Sequence, residues 1–143
     1  MSTKELQEKL VARMETWQKL EKAAVTQTAK IMEQTDHPLI RAVAEIIQRD
    51  SMMHYRVQQL IIDSLEKESV PMLMDQLEKA WESIEQHVKL EKKTIEMAEA
   101  SLKDMEGTRN VVQLYLIRYL LNDEQKHDKL LADLDLIKRK MFP

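Results

Sequence analysis

Seven acidic and imidazole side chains occupy positions of this chain where helical periodicity calls for apolar residues. They are Glu21, Asp50, His54, His87, Glu91, Asp123 and His127. Around the first of them, for example, apolar residues recur every three or four positions, as in an amphipathic helix. Burying a charged group costs free energy unless the group is paired or bound to a metal. The pattern therefore predicts a metal site in a helical core. The alternative is a metal-free buried network of ion pairs and hydrogen bonds that fixes the helix register.

The spacing of these side chains suits metal binding. Residues four apart lie on the same face of a helix, so each such pair can direct a carboxylate and an imidazole into one space. Three pairs have this spacing, Asp50 with His54, His87 with Glu91, and Asp123 with His127, and Glu124 adds a carboxylate to the last. Oxygen and nitrogen ligands without sulfur favour iron, manganese or zinc. The chain has no Cys, which excludes thiolate ligands, Cys nucleophiles and disulfides.

The composition indicates an all-helical chain that forms one domain, residues 1–143. Apolar residues make up 43% of the sequence, enough for a core, and there is only one Gly. The net charge of -3 disfavours nucleic acid as a partner. No apolar run approaches the roughly 20 residues that span a membrane, and the first residues lack the apolar core of a signal peptide. We therefore expect no membrane partner and a cytoplasmic protein.

Four long helices are predicted, and capping residues set their boundaries. Ser2 and Glu5 have the spacing of a capping box at the start of the first helix. Pro38 and Pro71 mark the starts of the second and third helices, because proline is tolerated in a first helical turn. The only glycine, Gly107, is placed to end the third helix, and the fourth helix follows it.

The short connections predict an antiparallel up-down-up-down four-helix bundle. A helix of about 30 residues is about 45 Å long, so a return over the outside would need roughly 14 extended residues. Only residues 66–71 separate the apolar stripes of the second and third helices. Side chains equally far from a turn should lie at one height in such hairpins. This symmetry predicts two layers, one of Trp17, His54, His87 and His127, and the next of Glu21, Asp50, Glu91 and Asp123.

The two halves of the chain resemble each other, which predicts a bundle made of two repeated helical hairpins. Residues 17–22 match residues 87–92, and residues 50–54 match residues 123–127. The halves differ in two places that matter for metal binding. Trp17 stands where the second half has His87, and Ser51 stands where it has Glu124. We therefore expect the second half to hold the tighter ion and the first half a weaker one.

The segment from Asp123 to His127, with Glu124 three residues before the histidine, resembles the last helix of the ferritin-like superfamily, especially the rubrerythrins. That superfamily builds a carboxylate-bridged di-iron site from one Glu on each of two helices and a Glu-x-x-His pair on each of the other two. The resemblance implies Glu21 and Glu91 as the single glutamates. It also implies that Asp50 and Asp123, the acids that precede the two motif positions, each accept a hydrogen bond from a histidine ligand.

The chain departs from the family pattern at Ser51, where the motif has a second Glu. The resemblance then implies either a rewired site, with His87 or Asp50 supplying the missing ligand, or a degenerate one. The connectivity and the pair of His87 with Glu91 are also similar to hemerythrins, which use more histidine ligands than the three that face the core here. Six candidate metal ligands follow: Glu21, His54, His87, Glu91, Glu124 and His127. Asp50, Ser51 and Asp123 are expected beside them.

The resemblance implies a redox or metal-handling function with one or two bound ions, iron or else manganese or zinc. Rubrerythrins carry a second, Cys-ligated iron site for electron delivery, and this chain has no Cys. Redox activity would therefore need an external reductant. The alternative is a non-enzymatic helical bundle with a metal-free polar core that acts in interaction or assembly. The sequence leaves open whether the protein is an enzyme and whether it forms a homodimer.

Overall fold

The computed structural model of the protein describes residues 1–67 and 74–141, and in these two ranges it contains four helices and no strand. The helices are α1 (Thr3–Gln34), α2 (Pro38–Glu66), α3 (Met74–Asp104) and α4 (Val111–Met141). This is the all-α, four-helix architecture that the sequence predicts. The predicted start of the third helix at Pro71 lies outside the described residues. None of the described helices is long and apolar enough to cross a membrane.

The predicted helix caps are confirmed. The Ser2 hydroxyl accepts a hydrogen bond from the Glu5 backbone N–H at 3.2 Å, and the Glu5 carboxylate accepts one from the Ser2 backbone N–H at 2.7 Å. These bonds hold the pKa of Glu5 below its ordinary value, because the backbone N–H favours the ionised carboxylate. His37 caps α2, since its Nδ1 accepts from the Leu39 backbone N–H at 3.3 Å, and Pro38 follows in the first turn.

Helices α1 and α2 form an antiparallel pair, hairpin 1. Two hydrogen bonds show the direction. Gln18 on α1 donates to the Tyr55 carbonyl late in α2, whereas the Val25 carbonyl, further along α1, accepts from Gln48 earlier in α2. The apolar core of this hairpin is small, and it consists of Val11, Met14 and Ile62 with Leu65 packed against them.

Helices α3 and α4 form a second antiparallel pair, hairpin 2. Near the open end, the Lys138 ammonium lies 3.9 Å from the centre of the Trp81 ring. Near the middle, Thr94 on α3 donates to the Glu124 carboxylate on α4. Leu77 and Ala98 are buried in this hairpin. The two hairpins are the two compact units of the chain, as the internal repeat predicts. The assignment of residues 1–143 to one domain stays a prediction.

The side-chain contacts across both hairpins differ by about one helical turn from the pairs that the sequence symmetry predicts. The sequence symmetry paired Glu21 with Asp50 and Glu91 with Asp123. In the structure His54 lies against Glu21 and His127 lies against Glu91. The turns are not the reason, because the helix ends are centred on residue 36 in hairpin 1 and between residues 107 and 108 in hairpin 2, within one residue of the predicted turns. Side chains of a helix lean toward its N-terminus. In an antiparallel pair, Glu21 and His54 therefore lean toward each other and meet although their backbone positions are about one turn apart.

Gly107 provides a test of the α3–α4 turn. Its φ of +74° is the only positive φ among the described residues, and a Cβ built there would meet no atom within 4 Å. The cost of a side chain should therefore come from the backbone alone, and Gly107→Ala should destabilise the protein by about 1 kcal/mol. Arg109→Ala in the same turn is the matched control and should change the free energy of unfolding little. Equal losses for both variants in thermal unfolding would contradict this account.

Candidate metal centre

Three ligand-type side chains meet in hairpin 2: Glu91 on α3, and Glu124 and His127 on α4. Each offers one ligand atom, and the three atoms lie within 4.8 Å of one another. Bonds of about 2.0–2.2 Å to a single ion place ligand atoms within roughly 4.4 Å of one another. The group therefore already has nearly the dimensions of a metal site. It is the only such group of three among residues 1–67 and 74–141.

Glu91 is the buried member of the group, with only 4% of its surface exposed. Its Oε1 lies 2.7 Å from His87 Nε2 and 3.4 Å from His127 Nδ1. Its Oε2 is buried and has no hydrogen-bond partner within the described ranges. Leaving a buried charged oxygen without a donor costs free energy that a cation or a proton would recover.

Glu124 faces this carboxylate from the neighbouring helix. The pKa of Glu124 is raised, first by its hydrogen bond to Glu91, then by burial and by the negative charge of Glu91. The pKa of Glu91 is lowered, chiefly by the same hydrogen bond. Below the raised pKa, Glu124 keeps a proton and donates it to Glu91. Above it, two negative carboxylates face each other, and a cation can compensate for both.

His127 is oriented by a third acid. Its Nδ1 lies 3.4 Å from Glu91 Oε1 and 3.6 Å from Glu124 Oε2, while its Nε2 lies 3.3 Å from Asp123 Oδ2. A neutral imidazole carries one N–H, and a carboxylate can only accept. Asp123 therefore favours the proton on Nε2 and leaves the Nδ1 lone pair directed at the two glutamates, as a metal ligand requires. The family resemblance implies this contact for Asp123, and its role beside a metal ligand stays a prediction.

Thr94 belongs to the site and was not predicted from the sequence. Its hydroxyl lies 3.2 Å from Glu124 Oε2 and 2.8 Å from the Glu91 carbonyl. This contact lowers the pKa of Glu124 and offsets part of the rise. The available signal was its position three residues after Glu91, on the same helix face. Thr94 holds Glu124 at the orientation in which it meets Glu91.

The corresponding residues of hairpin 1 are arranged differently. Glu21 is buried, and His54 Nδ1 lies 3.3 Å from its Oε1, much as His127 lies against Glu91. Ser51 is also buried but brings no carboxylate. Asp50 is exposed, so its predicted part in orienting His54 stays a prediction. Hairpin 1 therefore has the single Glu and the His of the predicted ligand set without the second acid.

One glutamine amide contacts Glu21 and two more bond to each other nearby, and these contacts were not predicted from the sequence. Gln58 donates from its Nε2 to Glu21 Oε1 at 3.4 Å. Gln18 donates from its Nε2 to the Tyr55 carbonyl and to Gln59 Oε1. The signal that could have revealed the network is the repeat itself. At the three matching positions the second half carries the apolar residues Val88, Leu131 and Ala132.

No family model, curated protein or solved structure matches this chain. The site itself must therefore carry the functional argument, since a fold alone does not define an activity.

The carboxylate pair predicts a stability gain for Glu124→Gln, because the introduced amide can donate to Glu91 without a proton or a cation. The folded protein favours the protonated form of Glu124. The stability that this protonated carboxyl contributes is fully present below the ordinary pKa of 4.5 and is lost as the pH rises through the raised pKa. In chelator at pH 7, the variant should be more stable than the wild type by about 1 kcal/mol. At pH 4 the difference should disappear, because the wild-type carboxyl is then protonated.

Urea unfolding at the two pH values measures this difference. Glu96→Gln, which removes an exposed carboxylate from α3, the helix that carries Glu91, is the control and should give no such gain. A gain of the same size at pH 4 and pH 7, or no gain at all, would show that the two carboxylates do not oppose each other.

Proposed function

We propose that this chain is a ferritin-like, rubrerythrin-like metal-binding protein that holds iron or manganese through Glu91, Glu124 and His127. The observation that carries the proposal is the buried Oε2 of Glu91, which has no hydrogen-bond partner within the described residues. Its carboxyl group is faced by Glu124, which cannot donate once it is ionised. A divalent cation neutralises both carboxylates at once and satisfies that oxygen.

The ligand set supports a hard or borderline divalent ion. Two carboxylates and one imidazole suit ferrous iron, manganese or zinc, and three protein ligands leave positions for water or a small substrate. When bound, a ferrous ion supplies the capacity for one-electron chemistry toward oxygen or peroxide. The redox or metal-handling role stays a proposal, as does the ferritin-like kinship.

His87 supports the proposal as a movable fourth ligand. Its Nε2 lies 2.7 Å from Glu91 Oε1, yet 55% of its side chain is exposed. An exposed side chain is free to rotate, so His87 can either donate to Glu91 or turn its nitrogen lone pair toward a cation beside that carboxylate. Asp123 and Thr94 meanwhile hold His127 and Glu124 in place, as neighbours of metal ligands commonly do.

A redox role also has requirements outside the site. With no Cys, the chain has no thiolate-ligated iron site to deliver electrons, so we propose an external reductant as a partner. A cytoplasmic location would provide such reductants and stays part of the proposal. A homodimer stays an open prediction.

The alternative function, a metal-free bundle used in interaction or assembly, has one observation in its favour. The buried Glu21 of hairpin 1 receives an amide N–H and an imidazole, and so it needs no cation. Chelator separates the two functions, because it would leave the stability of a metal-free bundle unchanged.

His127→Ala tests the proposed ligand set. Manganous ion at about one hundred times its dissociation constant should raise the thermal midpoint of the wild type by at least about 5 °C, and chelator should reverse the rise. The variant should lose that rise and bind the ion at least about 100-fold more weakly. His37→Ala, which removes an exposed helix cap, should keep full manganese affinity. A wild type that does not respond to manganese, or a variant that still does, would refute the proposed site.

A further inference from the structure

The amide of Gln58 lies where hairpin 1 could otherwise hold a cation. Gln58 is only 4% exposed, and its Nε2 donates to Oε1 of the buried Glu21. His54 Nδ1 approaches the same oxygen at 3.3 Å. The orientation of the amide follows from chemistry, because a carboxylate accepts hydrogen bonds and only the nitrogen end of the amide can donate one. The Oε1 end of Gln58 is buried without a partner in the described ranges.

The two hairpins place equivalent Glu and His residues in equivalent contacts. In each, a buried Glu on the first helix meets the Nδ1 of a His on the second, at 3.3 Å in hairpin 1 and 3.4 Å in hairpin 2. The two hairpins differ in the third group, the side chain that faces this buried Glu from the second helix. In hairpin 2 it is the Glu124 carboxyl, which opposes Glu91, whereas in hairpin 1 it is the Gln58 amide, which donates to Glu21.

The residue exchanges between the halves agree with this difference. The position of Glu124 is taken by Ser51 in hairpin 1, and the position of Gln58 is taken by Leu131 in hairpin 2. One hairpin thus has a second acid and no amide, and the other has an amide and no second acid. The second acid of hairpin 2 adds negative charge that a cation would neutralise, and the amide of hairpin 1 supplies a donor in place of a cation. Both exchanges therefore favour a cation in hairpin 2 and disfavour one in hairpin 1.

We propose that Gln58 is a specificity-determining residue whose amide replaces a cation at Glu21, so that hairpin 1 is a hydrogen-bonded, metal-free counterpart of the metal site in hairpin 2. The proposal rests on the proposed function only in taking hairpin 2 as the hairpin that binds a metal ion. The sequence alone favours a weaker second ion on Glu21 and His54, whereas the donor from Gln58 favours none. If the Gln58 amide were turned by 180°, its oxygen would face the Glu21 oxygen, and a cation would be needed between them. Counting the metal ions bound by variants distinguishes the two orientations.

The proposal predicts that one isosteric change creates a metal site. Gln58→Glu keeps the shape of the side chain but replaces the donor with a second carboxylate against Glu21 and beside His54. Without metal, the two buried acids should repel each other and lower the thermal midpoint by about 5 °C. With manganous ion, three ligand groups should converge on one ion and reverse that loss.

The experiment counts bound manganous ion by electron paramagnetic resonance, in full chains that all carry Glu124→Gln to remove the site in hairpin 2. Glu124→Gln alone should bind no ion, and the added Gln58→Glu should bring binding to one ion per chain. Gln59→Glu is the matched control. It makes the same change one residue later, where the amide donates to Asp63 rather than to Glu21, and it should bind none.

A second variant guards against a failure of Gln58→Glu to fold. Ser51→Glu combined with Gln58→Leu copies the residues of hairpin 2 at both positions, and it should also gain one ion per chain. Binding by Glu124→Gln alone would overturn the proposal. So would the absence of a gain in both designed variants, or an equal gain in the Gln59→Glu control.

Failure of the proposed function gives a different result. If the wild-type chain binds no manganese but the chain with Glu124→Gln and Gln58→Glu binds one ion, the site in hairpin 2 is refuted and the role of Gln58 stands. If the wild type binds one ion and Glu124→Gln alone still binds one, the role of Gln58 is refuted.

Discussion

Two carboxylates that face each other across a helix pair are the interaction on which this account depends. Glu91 is buried and has two imidazoles beside one oxygen, while its other oxygen has no hydrogen-bond partner within the described residues. Glu124 opposes it, with a pKa raised mainly by their mutual hydrogen bond. Once Glu124 is ionised, this arrangement places two negative carboxylates side by side, one of them buried, which is unfavourable unless a cation is present. Asp123 orients the histidine without relieving that charge, and the Thr94 hydroxyl relieves only part of it.

The internal repeat shows how little sequence change separates a metal site from a hydrogen-bonded core. Both hairpins keep the buried Glu and the facing His at nearly the same distance. The third group differs, a carboxyl in hairpin 2 and an amide in hairpin 1. An amide differs from a carboxylic acid by one heavy atom, yet it provides a permanent donor where the acid requires a proton or a metal. The two halves therefore share a helical scaffold, and a few residue exchanges on it decide between a carboxyl and an amide beside the buried Glu.

Much of this arrangement could be predicted from the sequence because it depends on local rules. Helix caps such as Ser2 act within one turn, and Glu124 with His127 share a face because of their spacing. The side chains that meet across each helix pair could not be predicted to better than a turn. The contacts depend on how far long side chains lean along their own helix, and symmetry about the turn does not include this lean. The donor from Gln58 was missed for a related reason, since its effect on Glu21 exists only in the folded register.

Elemental analysis of protein purified without chelator tests the central claim most directly, because it asks whether the opposed carboxylates hold a metal ion. The wild-type chain should contain close to one equivalent of iron or manganese per chain, and Glu124→Gln, purified in parallel, should contain essentially none. The same metal content in both proteins, or none in the wild type after reconstitution with ferrous or manganous ion, would contradict the account.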